Sequence, residues 1–405
     1  MRLSTSFTKT FRDIDSSETA KNAQLLIRAG FIHKEMAGVY DFLPLGLRVL
    51  NNITEIIRRH MNTLGAEELS MTALQNPESW KKTGRWSDDA MDIWFKADLN
   101  AGGEVSFAPT HEEPLTNLMT KFIHSYKDLP VYAYQFQTKF RNELRAKSGI
   151  LRTREFLMKD LYSFTTDEQS HQDFYKKVEQ AYKDIFTELG LGDCTYQTFA
   201  SGGAFSKYSH EFQTFLPVGE DTVYYNKDKS IVLNEEVLLP EVLEDLGVKR
   251  EELESTTAAE VGNIFTLKYK FSTPLHLDYA KKSGGIETVF MGSYGIGVSR
   301  VMGVIVEKFA DKKGLVWPEN IAPYKYYLIP IGEKGTKAAE KLYKKDPDLY
   351  LYDDRDKKPG EKFADADLMG IPNRLVISDK TLEKNSAELT LRASGETSLI
   401  PLEKL

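Results

Sequence analysis

Two arginines far apart in the chain, Arg141 and Arg300, are the first residues whose surroundings suggest chemistry. Arg141 stands two positions before Glu143. Arg145, Lys147, Arg152 and Arg154 crowd around Gly149, and Phe156 follows. A guanidinium offers a rigid fork of donors to phosphate oxygens, a carboxylate accepts from an exocyclic amino group, and a ring stacks on a base. Together they can seat a nucleotide. Arg300 follows Gly292, Gly295 and Gly297, where bare backbone lets a ligand approach and a helix start favours an anion. The frame beginning at Gly295 carries arginine where a dinucleotide fingerprint needs its third glycine, so a polyphosphate tail fits better. Thr110, Glu112 and Glu113 gather before Pro114 at another helix start, where capping and the macrodipole explain such residues without a ligand. His210, between Ser209 and Glu211, needs partners from elsewhere before it counts as a functional group.

The elements that would position these groups follow from periodicity. Tyr132, Tyr134, Phe136 and Phe140 alternate with Gln135, Gln137, Lys139, Arg141 and Glu143, which predicts a strand with one buried face. A basic loop and a second strand complete a hairpin. The competing interpretation is an amphipathic hairpin whose charged face is solvated. Leu47, Leu50, Ile53, Ile57, Met61 and Leu64 mark an amphipathic helix, and a strand follows it. Leu115, Leu118, Met119, Phe122, Ile123 and Tyr126 mark another helix, which starts near Pro114 and ends before Pro130. A third runs from Thr166 or Asp167 to Gly190. Residues 227–260 are acidic and leave room for one helix and linkers. Around Gly292 to Arg300 the pattern is strand, glycine turn, helix. After a proline-punctuated linker ending near Tyr324, strands and helices alternate as in a small α/β domain.

Composition bounds the possibilities. The 405 residues are 41% hydrophobic and 28% charged, enough for two or three domains with cores of their own. A net charge of -7 argues against wholesale binding of nucleic acid and leaves local patches open. Cys194 is the single cysteine, so neither a disulfide framework nor a cysteine-based zinc site is expected within one chain. No long apolar run and no apolar leader is visible, so a cytoplasmic protein without membrane contact is expected.

Three separated stretches resemble the motifs of class II aminoacyl-tRNA synthetases. LPLGLRVLNNITEIIRRHMNTLGAEELSM resembles motif 1 (about 43–74), FRNE with LRTREF resembles motif 2 (about 135–164), and GIGVSR resembles motif 3 (about 287–310). With PTHEE, FLMKDLYSF, SHEFQ, VWPENIAPY and DDRDKKPGEKFADADLMGIPNR, the wider resemblance is to bacterial-type prolyl-tRNA synthetases and covers nearly the whole chain. It implies an α+β catalytic domain, an antiparallel sheet flanked by helices, over 1–318. A small α/β anticodon-binding domain would follow over 319–405. The space at about 222–260 would be a short linker where many members carry an editing domain.

The implied reaction activates L-proline with ATP and Mg²⁺, then passes proline to tRNA(Pro), without zinc. In that scheme Arg141 and Arg300 are catalytic. Thr110, Glu112, Arg141, His210, Met158, Asp160 and Tyr162 receive proline, while Arg141, Glu143, Arg152, Phe156, Gln213 and Arg300 hold ATP. Arg145 and Lys147 meet the tRNA acceptor end, and Asp354, Arg355, Lys362, Asp367 and Arg374 meet the anticodon. A homodimer through motif 1 is implied as well, although Thr72 stands where the family usually has proline. With no editing domain, a separate hydrolase would have to clear mischarged alanine. The rivals are a class II enzyme for another amino acid and a synthetase-like binding protein without catalysis.

Overall fold

The hairpin predicted from the alternation belongs to a nine-stranded sheet, and the candidate nucleotide-binding groups lie on its strands or on the segments that leave them. A computed structural model describes residues 1–14, 16, 18–201 and 208–405. The chain divides into two units, one comprising Thr54–Lys147 and Leu151–Val304, the other Met1–Ile53, Ser148–Ile150 and Ile305–Leu405.

The first unit is built on the large sheet. Its central strands Glu254–Lys268, Phe290–Gly297, Glu155–Thr165 and Val131–Phe140 are neighbours in that order, all antiparallel. Tyr208–Phe215 also pairs with Glu254–Lys268. One face is covered by the helix Glu168–Glu188, whose Phe174, Tyr175, Val178, Tyr182, Ile185 and Phe186 are buried. Each such side chain contributes roughly 1.5–3 kcal/mol on leaving water. Asp167 starts that helix by accepting from the Ser170 amide at 2.8 Å, and Gly190 at φ +79° lets the chain leave it. The other face collects the polar side chains. Register brings Gln135 opposite Asp160, Asp160 opposite Gly295, and Gly295 opposite Asn263.

Three local expectations change. The polar face of the hairpin is not solvated: Gln135 and Lys139 are 1% and 0% exposed. Residues 222–260 are no linker, because Asp221–Tyr225, Val232–Asn234 and the start of Glu254–Lys268 are strands of the main sheet. They enclose their own small core of Tyr224, Leu233, Val237, Val242 and Leu253, and burying those side chains holds the strands in place. Nor is there a glycine turn before Arg300, since Phe290–Gly297 runs straight into the helix Val298–Phe309.

In the second unit five strands lie in the order Tyr350–Tyr352, Tyr326–Ile331, Asn373–Ser378, Ser386–Leu391, Thr397–Pro401. Helices Gly332–Lys345 and Pro359–Met369 connect the parallel members. By their contacts residues 1–53 belong to this unit too, so it extends beyond the 319–405 that the resemblance assigns to a C-terminal domain. The Leu3 amide donates to Tyr352 O at 2.9 Å and Phe31 stacks on Trp317 with centroids 5.4 Å apart, non-local contacts that composition cannot reveal.

Candidate active site

Arg141 lies just beyond the end of its strand, where two cavities meet. The larger, about 200 Å³, is lined by Arg85, Thr110, Glu112, Arg141, Met158, Asp160, Tyr162, Asn263 and Phe265 among others. The smaller, about 150 Å³, is lined by Arg141, Glu143, Arg152, Glu220, Asp221, Glu260 and Arg300. The two arginines singled out in the sequence therefore share one cavity. Burial lowers the pKa of Arg141, and the nearby positive charge of Arg300 lowers it further, partly offset by Glu260 and Glu112. Both charges line one cavity, with Glu260 Oε2 3.5 Å from Arg300 Nη1, a setting that suits an anion. Arg300 is aimed by hydrogen bonds from Nε to Leu151 O (2.7 Å) and from Nη1 to Glu260 O (2.8 Å). Phe156 lies with its ring 5.2 Å below the Arg141 guanidinium.

Glu143 and Arg152 hold each other. Arg152 Nη2 donates to Glu143 Oε2 at 2.8 Å and its Nη1 to Glu220 Oε2 at 3.2 Å. Arg145 and Lys147 are exposed on the hairpin loop, with Lys147 Nζ 3.8 Å from Glu220. Gln213 is fully buried, its Nε2 donating to Glu211 (2.9 Å) and Asp221 (2.7 Å), and it does not line the smaller cavity.

At the larger cavity Thr110 Oγ1 donates to Glu112 Oε2 at 2.6 Å. Capping does not explain this cluster: His111 occupies the N-cap of the helix Glu112–Met119 without a side-chain cap bond. Instead Glu113, 0% exposed, accepts from Thr83 Oγ1 (2.9 Å) and Arg85 Nη1 (3.0 Å). Burial, reinforced by Glu112 and opposed by Arg85, pushes Glu113 up to about 7. Arg85 also reaches Glu112 at 3.6 Å and lies over the rings of Trp80 and Phe271. Sequence reasoning missed Arg85, which stands between Gly84 and Trp86 with no carboxylate beside it and no glycine-rich pattern to signal a ligand.

His210 requires correction. It pairs with Ile264 rather than with the pocket-facing Asn263, so it points to the helix-covered face, where its Nδ1 lies 2.6 Å from Tyr175 Oη. It cannot touch a ligand in the larger cavity. In the second unit, Lys362 is 6% exposed and donates to Asp353 O at 2.9 Å, so burial removes it from the expected anticodon surface. Arg355 donates to Asp353 (2.6 Å) and Asp365 (2.8 Å), Asp354 accepts from Arg2 (3.1 Å), and Arg374 pairs with Asp367 (3.2 Å). These four are engaged within the unit.

One guanidinium in the wall of both cavities can hold a carboxylate on one side and a phosphate on the other. That arrangement serves in-line attack of an ionised carboxylate on phosphorus, a step that needs positioning and charge stabilisation rather than a general base.

Comparison with known proteins agrees with this chemistry. Residues 94–309 match the family described as tRNA synthetase class II core domain (G, H, P, S and T), and residues 325–405 match the anticodon binding domain. A proline–tRNA ligase of Wolbachia sp. subsp. Drosophila simulans (strain wRi) is 36% identical over 100% of this chain and 98% of the relative. A probable mitochondrial proline–tRNA ligase of Schizosaccharomyces pombe is 38% identical over 96% of this chain and 92% of the relative. The fold is similar to that of the Cryptosporidium parvum prolyl-tRNA synthetase solved with L-proline and AMP, with TM-score 0.76 at 18% identity, covering 95% of this chain and 72% of that one.

Proposed function

Since the chain belongs to the proline–tRNA ligases among the class II aminoacyl-tRNA synthetases, we propose that it activates L-proline with ATP and transfers it to tRNA(Pro). The observation that carries this reading is the position of Arg141 in the wall common to both cavities. The larger cavity takes the zwitterion: Glu112 and Thr110 accept from the imino group, Arg141 holds the carboxylate, and Met158 and Phe265 supply apolar wall for the ring. The smaller takes the nucleotide, with Arg141 on the α-phosphate and Arg300 on the tail. A proline carboxylate oxygen forms the new bond to the α-phosphorus as the bond to the bridging oxygen breaks, and pyrophosphate leaves. The terminal ribose hydroxyl of tRNA then attacks the prolyl carbonyl and releases AMP. We assign the acceptor end to Arg145 and Lys147, which are exposed on the hairpin loop.

The residues around the phosphates fit Mg²⁺. Glu220, Asp221 and Glu260 offer hard oxygen donors in one cavity, and burial together with the charge of Glu260 raises the pKa of Asp221, a repulsion that a divalent cation relieves. When bound, Mg²⁺ neutralises charge on the polyphosphate. We further propose a homodimer through residues 43–74.

ATP–pyrophosphate exchange tested against all twenty amino acids decides the matter. Proline alone should support strong exchange. Exchange with threonine, histidine or glycine instead would identify a different ligase, and none at all would leave a binding protein.

A further inference from the structure

Beneath the larger cavity lies a layer of polar groups that the chemistry above does not use. Lys139, 0% exposed, has Nζ 2.8 Å from Asp160 Oδ1 and 2.6 Å from His111 Nδ1. Asp160 Oδ2 accepts from Gln135 Nε2 and from Tyr162 Oη, each at 3.0 Å. The other nitrogen of His111 lies 3.1 Å from Thr72 O. A carbonyl only accepts, so Nε2 carries the proton and Nδ1 is left to accept from the ammonium. Burial and the Lys139 charge bring His111 down to about 4, which keeps it in that neutral form. Met71 completes the layer: its amide donates to Gln135 Oε1 at 3.1 Å and its carbonyl accepts from Gln137 Nε2.

Asp160 and Tyr162 line the cavity, whereas Lys139 and His111 do not. A carboxylate buried this deeply stays in place only while its counter-charge and donors are in place. We propose that Lys139 is a positioning residue for the amino-acid substrate: its ion pair fixes Asp160, and through it Tyr162, on the cavity floor, while His111 fixes Lys139. This rests on the larger cavity being the amino-acid pocket. No member of the layer lines the nucleotide cavity, so its loss acts on one substrate only.

The test is Lys139→Met, which keeps length and removes charge, assayed by exchange with KM measured separately for amino acid and ATP. We expect the amino-acid KM to rise about tenfold or more and the ATP KM to stay within about twofold. In a double-mutant cycle, adding Lys139→Met to Asp160→Asn should change the amino-acid KM by less than about twofold, because the lysine acts through the aspartate. An unchanged amino-acid KM, equal rises in both KM values, or multiplied effects in the double variant would overturn the proposal. If Lys139→Met gives no melting transition, the double variant, in which neither charge is left alone, carries the comparison. Failure of both to fold would mean the pair is only structural. Wild-type exchange with another amino acid and not with proline would refute proline as substrate while the comparison is made on that amino acid; exchange with none would overturn both.

Discussion

Arg141 and His171 show how the same burial serves opposite ends at single residues. Arg141 is held beside Arg300 with its charge only partly compensated, a state that an anionic ligand relieves. Arg141→Ala is expected to lower kcat/KM for proline-dependent exchange by about 10³ or more while the melting temperature stays close to wild type. Near-normal exchange would remove the central claim. His171 lies on the opposite face, where burial alone lowers it from 6.5 to about 4. The native chain therefore binds that proton less readily than the unfolded chain. The stabilisation is present above pH 6.5 and is lost as pH falls toward 4. His171→Gln should cost stability at pH 7, and the gap to wild type should narrow by ~2 kcal/mol by pH 4.5, measured by urea titration at both pH values. A gap independent of pH would show that the imidazole is not held neutral. Arg141 and Arg300 were legible because a guanidinium beside glycines or a carboxylate signals phosphate by its type alone. His210 was not legible. Which face it occupies depends on pairing with Glu254–Lys268, where the register shifts between Phe212 and Gln213.

At the scale of elements the pleat does most of the sorting. Gly292 and Gly295 look equivalent in the sequence, yet they face opposite sides of one strand. A Cβ on Gly292 would lie 2.4 Å from His171 Cε1 and 2.7 Å from Tyr294 Oη, both in the packed interior, so that glycine makes room for a helix and not for a ligand. Gly292→Ala should destabilise by about 1–3 kcal/mol through overpacking, read from the denaturation midpoint. Stability equal to wild type would mean the helix yields there. Gly295 borders the larger cavity, and a Cβ would lie 2.8 Å from Asn263 Oδ1. The long helices were legible from their apolar stripes. The strands Asp221–Tyr225 and Val232–Asn234 were not, because each is too short to show a period and is stabilised by partners distant in sequence. Lys139 was visible on the polar side of its strand, but nothing local said that this side would be buried.

For the whole molecule, the resemblance covered the chain and its two family domains, yet it did not reveal that residues 1–53 join the C-terminal unit, an arrangement made by contacts more than 250 residues apart such as Phe31 on Trp317. Because residues 221–268 form part of the catalytic sheet, that stretch does not supply a hydrolytic domain. A cavity of about 200 Å³ distinguishes alanine from proline mainly by missing methylenes, worth only ~1–3 kcal/mol each. Alanine should therefore support measurable exchange, and the purified chain should leave alanyl-tRNA(Pro) intact; rapid hydrolysis by the chain alone would contradict this. The Arg141 wall has a consequence for how such a protein can change. Whatever alters the grip of that guanidinium for one ligand alters it for the other, and linkage makes the effect mutual. A lineage or designer that seeks a new amino-acid preference by moving this guanidinium cannot treat the two compartments as separate dials, and such variants will carry a shifted appetite for ATP as a by-product.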